Sequence, residues 1–532
     1  MHEIQDILIH IACVALLAPL AARLGLAEPI VFVLAGLVLG LVPHFPAIPL
    51  DPEVLFFLFL PPLLFLQAYF TSWREFCRNL RPITLLAVGL VLFTSAGVAY
   101  ACHWLIPGLP LAAGFVLGGI VSPPDAVAVA AVARSLRLPR RLVSILEGES
   151  LINDASGLVV LKFALVALAS GSFSASEAAL RFLWVAAGGI GIGLGLGWGM
   201  GKVFHRIRDD SVAILTSLLV PFAAYFPAEH LGVSGVLAVV ASGLWIGWEV
   251  SERIPFSIRL KGNATWRMIE YLLNGLIFLM IGLQIRYVVA DLRSDYSGLQ
   301  LASYAVGVSL LVMLLRPLWV FPATYLQRWI FPSIARSDPS PPPAVIVALS
   351  WAGIRGVVSL AAALALPRNL EGGIPFPHRD LIVFLTFSVI LSTLVFQGLT
   401  FPALIRWLDV TEKTDEAEEN RSVREGILRA GLNAVDSAAA VTPMDPEALE
   451  TVRKDYQSRL EQNQDRLADV LGWSEHLERR ISIRRLQETA IRAQRQELAR
   501  RRRNGEVHEE LRQRIQEELD IEEARLPVGP QG

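Results

Sequence analysis

Cysteine is almost missing from this chain of 532 residues: Cys13, Cys77 and Cys102 are odd in number, lie in or beside apolar runs and show no CxxC spacing. That pattern supports neither a disulfide framework nor a zinc cluster. Charge is scarce too, at 18% of residues against 53% hydrophobic, with a net charge of −2 and a mean hydropathy of +0.49. Soluble domains carry about 25% charge, so lipid is the expected solvent for most of the chain. No folded segment shows a basic stripe, which argues against a nucleic-acid partner. A secretory leader is not expected either, because Glu3 and Asp6 stand where a basic n-region would be. The first apolar run is read as a retained span.

The scarcity of charge is uneven. Residues 1–410 hold 49 charged side chains, whereas the last 122 residues hold 47. The chain therefore reads as a transmembrane domain over 1–410 and a cytoplasmic helical tail over 411–532. Thirteen apolar segments recur in the first part, near 7–24, 29–43, 54–70, 83–104, 111–133, 143–169, 178–204, 211–228, 232–249, 267–289, 300–326, 344–367 and 381–407. Each is close to the roughly 20 residues that a helix needs to cross a bilayer, the second being short. With the N-terminus outside, sixteen lysines and arginines, among them Arg23, Arg81, Arg141, Arg206 and Arg328, fall on one side and five on the other. The positive-inside rule then makes the charged tail cytoplasmic. Between positions 188 and 201 glycine takes every second place from Gly189 onward. Close helix packing is the simple account, since a nucleotide loop needs a preceding strand and water around it.

Ionisable groups inside a span cost roughly 2.5–3.5 kcal/mol on insertion scales and mark function by default. Asp125 follows Pro123 and Pro124 within an apolar stretch. Two prolines remove two amide donors and disfavour helical backbone before each, so the helix should break just ahead of the carboxylate. Such a break survives only against protein or a water-filled cavity, where helix ends and freed carbonyls can meet a cation. A proline kink with a capping Asp is the plainer alternative. The next span carries Gly148-Glu-Ser-Leu-Ile-Asn-Asp154. Ser150 and Asp154 are helical i, i+4 neighbours, as are Glu149 and Asn153. Two carboxylates, a hydroxyl and an amide suit a hard monovalent cation held by Asp154 and Ser150, not a transition metal; a structural polar network is the alternative. Arg355, between Gly353 and Gly356, stays protonated and needs a buried anion, with Glu149 as the candidate; otherwise it faces a hydrated vestibule. The breaks fall in the fifth and twelfth segments, seven apart, and so point to an inverted repeat with a midplane site.

At these motifs the chain resembles the monovalent cation:proton antiporter-1 family, the sodium/proton exchangers of the bacterial antiporter type. The anchors are Phe59-Leu-Pro-Pro-Leu-Leu64, Ser122-Pro-Pro-Asp125, the Gly148 to Asp154 motif and Trp351-Ala-Gly-Ile-Arg-Gly356. The similarity covers residues 1–410 and leaves the tail outside. It implies an all-α membrane protein of thirteen transmembrane helices with an inverted repeat and discontinuous crossing helices. It further implies a homodimer in which a six-helix core moves against a dimerisation domain. Asp154 matches the essential ion-binding acid, Asn153 the Asn before it, Ser150 a ligand, Asp125 the acid of the unwound helix, and Glu149 with Arg355 the buried ion pair. Two positions depart from the family pattern: Pro124 stands where a Thr is common, and Gln67 on the ion path where many members have an acid.

The function expected is exchange of sodium, or another monovalent cation such as potassium or lithium, for protons across the plasma (inner) membrane. No cofactor and no enzymatic activity are expected; the partners are Na+, H+ and the lipid bilayer. One carboxylate that accepts a proton or a cation gives one-for-one, electroneutral exchange. A potassium/proton antiporter on the same scaffold is the main rival. An intramembrane aspartyl protease is a remote one, because Asp125 follows Pro124 and Asp154 follows Asn153 instead of the Tyr-Asp and Gly-x-Gly-Asp settings it needs. In the tail, a helix is expected over 421–440 and further packing at Trp473, Leu477, Ile481 and Ile483.

Overall fold

The computed structural model describes residues 2–43, 45–46, 52–133, 138–171, 175–250, 254–290, 292, 296–370, 375–410, 416–441 and 445–470, then 486–487, 489–498, 500–501, 515, 519 and 522. The chain forms two units, Met1–Glu412 and Lys413–Gly532. Regular structure among the described residues is helical, apart from one isolated bridge between Asn369 and Pro375.

In the first unit, eight helices among the described residues are long and apolar enough to cross a membrane, and four apolar helices are shorter. Ten helices position the site: α1 (Glu28–Leu41), α2 (Leu60–Phe70), α3 (Leu111–Val121), α4 (Ala126–Ala133), α5 (Arg140–Ser170), α6 (Phe256–Leu283), α7 (Gly298–Ile330), α8 (Pro343–Trp351), α9 (Val357–Leu364) and α10 (Arg379–Ser392). The long ones are hydrophobic on most sides, as a helix bathed by lipid and packed neighbours must be. One large apolar core joins α3, α5, α8, α9 and α10 through residues such as Leu117, Leu142, Ile346, Leu360 and Phe387.

Two chain segments in this core are not helical. After Val121 the backbone leaves the α-helix until Ala126, as two prolines dictate. After Trp351 it does so again until Val357, in a stretch held open by Gly353 and Gly356. The interruptions cross. The amide of Asp125 donates to the carbonyl of Ile354 at 2.7 Å, and the amide of Arg355 donates to Thr393 Oγ1 at 3.1 Å. These two freed amides thus find partners in the other interruption and in the helix that follows, which lipid would not supply.

The glycine stripe packs as small-residue stripes do. In the helix Ala175–Phe204, a Cβ on Gly189 would lie 2.4 Å from the Ser234 carbonyl, and one on Gly193 2.2 Å from that of Ala238. Gly191, Gly195 and Gly199 meet nothing, so the contact face recurs every fourth residue. On the side carrying the arginine-rich loops, Asp338, between α7 and α8, accepts hydrogen bonds from Arg81, from Arg141 at 2.7 Å and from Arg328 at 2.9 Å. Burial pushes this carboxyl's pKa up, but the hydrogen bond from Arg141 and the charges of Arg141, Arg328 and Arg81 outweigh it and hold the pKa below the usual value.

In the second unit, the helices Glu416–Val441 and Pro446–Val470 form a hairpin in which Gly431 meets the Tyr456 ring and Arg453 pairs with Asp436 at 2.7 Å. Trp473, Leu477, Ile481 and Ile483 lie outside the described residues.

Candidate functional site

Where the two interruptions cross, a cavity of about 40 Å³ is lined by Gln67, Pro123, Pro124, Asp125, Ser150, Asp154, Asn274, Gly356 and Ser359, among others. Ser150 and Asp154 reach it from one face of α5, four residues apart, and are 5% and 6% exposed. Asp125 enters from the first interruption. Its Oδ1 accepts from the amide of Ala128 at 3.4 Å and so caps the N-terminus of α4, where the helix dipole favours an anion. Its other oxygen sits so close to Gly356 that a Cβ there would lie 1.7 Å from it. Only glycine leaves room for this carboxylate. Gln67, from α2, lines the same space with a buried Oε1 that has no hydrogen-bond partner among the described residues.

Four of the expected site residues, Gly353 of the second interruption, Asn153, Glu149 and Arg355, do not line the cavity. Asn153, fully buried, turns away and donates from Nδ2 to the Pro124 carbonyl at 2.9 Å, clipping the first interruption to α5. Glu149 and Arg355 are buried at 1% and 0% exposure, yet they are not each other's hydrogen-bond partners. The expected Glu149–Arg355 ion pair is therefore corrected: Glu149 is gripped by Arg316 of α7. Arg316 Nη1 donates to Oε1 at 2.5 Å and Nη2 to Oε2 at 2.8 Å, while Nε donates to the Leu349 carbonyl at 3.1 Å. This two-pronged geometry uses both carboxylate oxygens and is the strongest form of the interaction. Arg355 instead serves the main chain, donating from Nε to the Val121 carbonyl at 3.0 Å and from Nη1 to that of Gly353. Val121 ends α3, so the guanidinium meets the negative end of a helix dipole, while its Nη2 has no hydrogen-bond partner among the described residues.

Sequence reasoning passed over Arg316 and Asn274. The signal for Arg316 was present: a lone guanidinium in the middle of an apolar span is as costly as Arg355. Asn274 carries no charge, and a single amide on an apolar helix stands out in no sequence pattern.

The arrangement offers two carboxylates, a hydroxyl and at least one amide oxygen to a guest of a few water volumes, with the nearby third carboxylate already neutralised. That donor set suits a hard monovalent cation or a proton.

Comparison with known proteins adds to this geometry. Residues 11–407 match the family described as sodium/hydrogen exchanger, transmembrane. An uncharacterised Na+/H+ exchanger of Escherichia coli, YjcE, is 34% identical over 498 residues, 90% of this chain and 90% of its own. An uncharacterised Na+/H+ exchanger of Mycobacterium tuberculosis is 34% identical over 519 residues, covering 97% and 95%. A sodium, potassium, lithium and rubidium/H+ antiporter of Bacillus subtilis is 37% identical over 385 residues, covering 71% and 57%. Among solved structures, the sodium proton antiporter MjNhaP1 of Methanocaldococcus jannaschii superposes with a TM-score of 0.61 over 77% of this chain and 99% of its own, at 21% identity. The last likeness speaks for the fold alone. Alignments over 90% and 97% of the chain extend beyond residue 410. The family match itself ends at residue 407, in keeping with the resemblance over residues 1–410, while the alignments with these two relatives run on into the tail.

Proposed function

The chain belongs to the sodium/hydrogen exchanger family, and from that premise we propose that it exchanges sodium or another monovalent cation for protons at Asp154. One observation carries the reading. Asp154 and Asp125 face one small cavity at the crossing of two helix interruptions, while Glu149, one residue from Ser150, is already matched by Arg316.

A carboxylate in so small a space is neutralised by a proton or by a cation, not by both. The empty, ionised form is costly to carry past an apolar barrier, so the carrier crosses loaded and exchange is obligatory. Asp125 keeps the local field negative from the N-terminus of α4 and Ser150 supplies a neutral oxygen. Asn153 holds the interruption in place through Pro124 and takes up no second proton, which supports a count of one for one without net charge movement. We place the N-terminus outside, the tail in the cytoplasm, thirteen crossings in two inverted halves and a dimer in the plasma membrane, on the loop charges and the family likeness.

A broader cation range is the second reading. The Bacillus relative is named for sodium, potassium, lithium and rubidium, and Gln67 brings a neutral oxygen to the cavity where an acid would favour small, strongly hydrated ions. Proteoliposomes loaded with a pH-sensitive dye test both readings. Proton movement should follow added sodium and vanish in Asp154→Asn while the protein still inserts. Transport retained in that variant would remove Asp154 from the role, and an equal response to potassium would select the broader range. A steady current under ion gradients in a voltage-clamped bilayer would refute the electroneutral count.

A further inference from the structure

A larger cavity, of about 380 Å³, lies beside the site and is lined by Glu28, Phe32, Arg267, Glu270, Tyr271 and Asn274, among others. Asn274 is also the residue it shares with the 40 Å³ cavity that holds Asp125 and Asp154. On α6, Glu270 and Tyr271 lie three and four residues after Arg267, and Asn274 lies four and three residues after them, so the four share a face. Arg267 and Tyr271 are exposed, Asn274 is half-buried, and Phe278, one turn further, is fully buried. The stripe thus runs inward for about 10 Å, at 1.5 Å per residue, and stops at the amide.

The two volumes differ in what they admit. One water needs roughly 10–15 Å³ of such space, so the inner cavity accepts about three and the outer many more. A monovalent cation with its whole first hydration shell fits the outer cavity and not the inner one. It must leave most of its water where the two meet, and hard cations accept only oxygen in exchange. The carboxylates and Ser150 come from α5 and the first interruption, whereas Asn274 comes from α6.

We propose that Asn274 is a specificity-determining residue: its side-chain oxygen replaces a departing water as the cation passes from the outer cavity to Asp154. The proposal rests on the exchange reading above. Lithium and sodium hold their water more tightly than potassium, so they depend most on the replacement oxygen.

The test is exchange by the full-length protein in proteoliposomes, titrated with lithium, sodium and potassium, for wild type, Asn274→Leu and Asn274→Gln. Leu keeps the bulk and removes the oxygen; Gln keeps the oxygen. Asn274→Leu should raise the half-saturating lithium and sodium concentrations about tenfold, equivalent to about 1.4 kcal/mol, and potassium by less than about threefold, with maximal rates within about threefold of wild type. Asn274→Gln should stay near wild type. Equal shifts for all three cations, no shift, a fall in maximal rate alone, or a Gln variant that behaves like Leu would each overturn the proposal. Should Asn274→Leu not fold, Asn274→Ala removes the same oxygen and is held to the same outcomes. A wild-type protein inactive with every cation would instead defeat the exchange reading, and this proposal with it.

Discussion

Replacing Arg316 by Met removes the charge and the fork of hydrogen bonds while keeping most of the volume, and it leaves the Glu149 carboxylate stranded. Both side chains are sealed, at 0% and 1% exposure, and their contacts are 2.5 and 2.8 Å. Screening by solvent is therefore negligible, and losing one partner of such a pair costs about 3–5 kcal/mol. Removing both partners is close to neutral, because the desolvation cost leaves with the attraction. The assay is thermal unfolding of the purified protein in one detergent for wild type, Glu149→Gln, Arg316→Met and the double variant. For a domain of this size the singles should melt on the order of 5–10 °C lower, since 1 kcal/mol shifts a 150–250-residue domain by about 2–4 °C and larger ones by less. The double variant should recover most of the loss. A parallel cycle pairing Glu149→Gln with Arg355→Met should show weaker coupling, because Arg355 donates to carbonyls. If the double variant melts at the sum of the two single losses, or if Arg355 couples to Glu149 more strongly than Arg316 does, the assignment of the pair is wrong.

Gly356→Ala should push the Asp125 carboxylate out of its seat and slow exchange at least about tenfold, a barrier change of about 1.4 kcal/mol, with little change in yield; wild-type rates would show that the seat is irrelevant. Gln67→Glu should lower the half-saturating sodium concentration several-fold by adding charge to the cavity, an effect on the order of 1 kcal/mol; weaker binding would mean that the position does not face the cation. Asp338→Asn should lower thermal stability at neutral pH. The folded carboxyl titrates below its unfolded value of about 3.9, so its contribution is full above that pH and fades as pH falls through the folded value. The gap between wild type and variant should hold from pH 7 to about 5 and close below about 4; a gap that widens in acid would reverse the assignment.

Much of the site was legible because proline chemistry and membrane cost are local facts. Pro123 and Pro124 announce an interruption wherever they sit in a span, and Ser150 and Asp154 share a face on any helix. What escaped notice depends on three-dimensional neighbours. Both guanidiniums are expensive in lipid, but only the fold decides which one reaches Glu149; of the glycines that flank Arg355, Gly356 makes room for Asp125 and Gly353 turns its carbonyl toward Arg355 itself. Asn153 and Asp154 are neighbours in the sequence, and adjacent positions on a helix point about 100° apart. One faces the cavity and the other staples Pro124.

The link from the Asp125 amide to the Ile354 carbonyl is made of main chain alone. Side-chain mutagenesis is blind to such a suture: nineteen exchanges at position 354 leave the carbonyl intact, and at 125 only proline erases the donor. A scan of the site will therefore rank carboxylates and hydroxyls and give no score to the stitch that keeps the two half-helices in register. An amide-to-ester swap at residue 125, which replaces the donating N–H by an oxygen and keeps every side chain, is the perturbation that reads it.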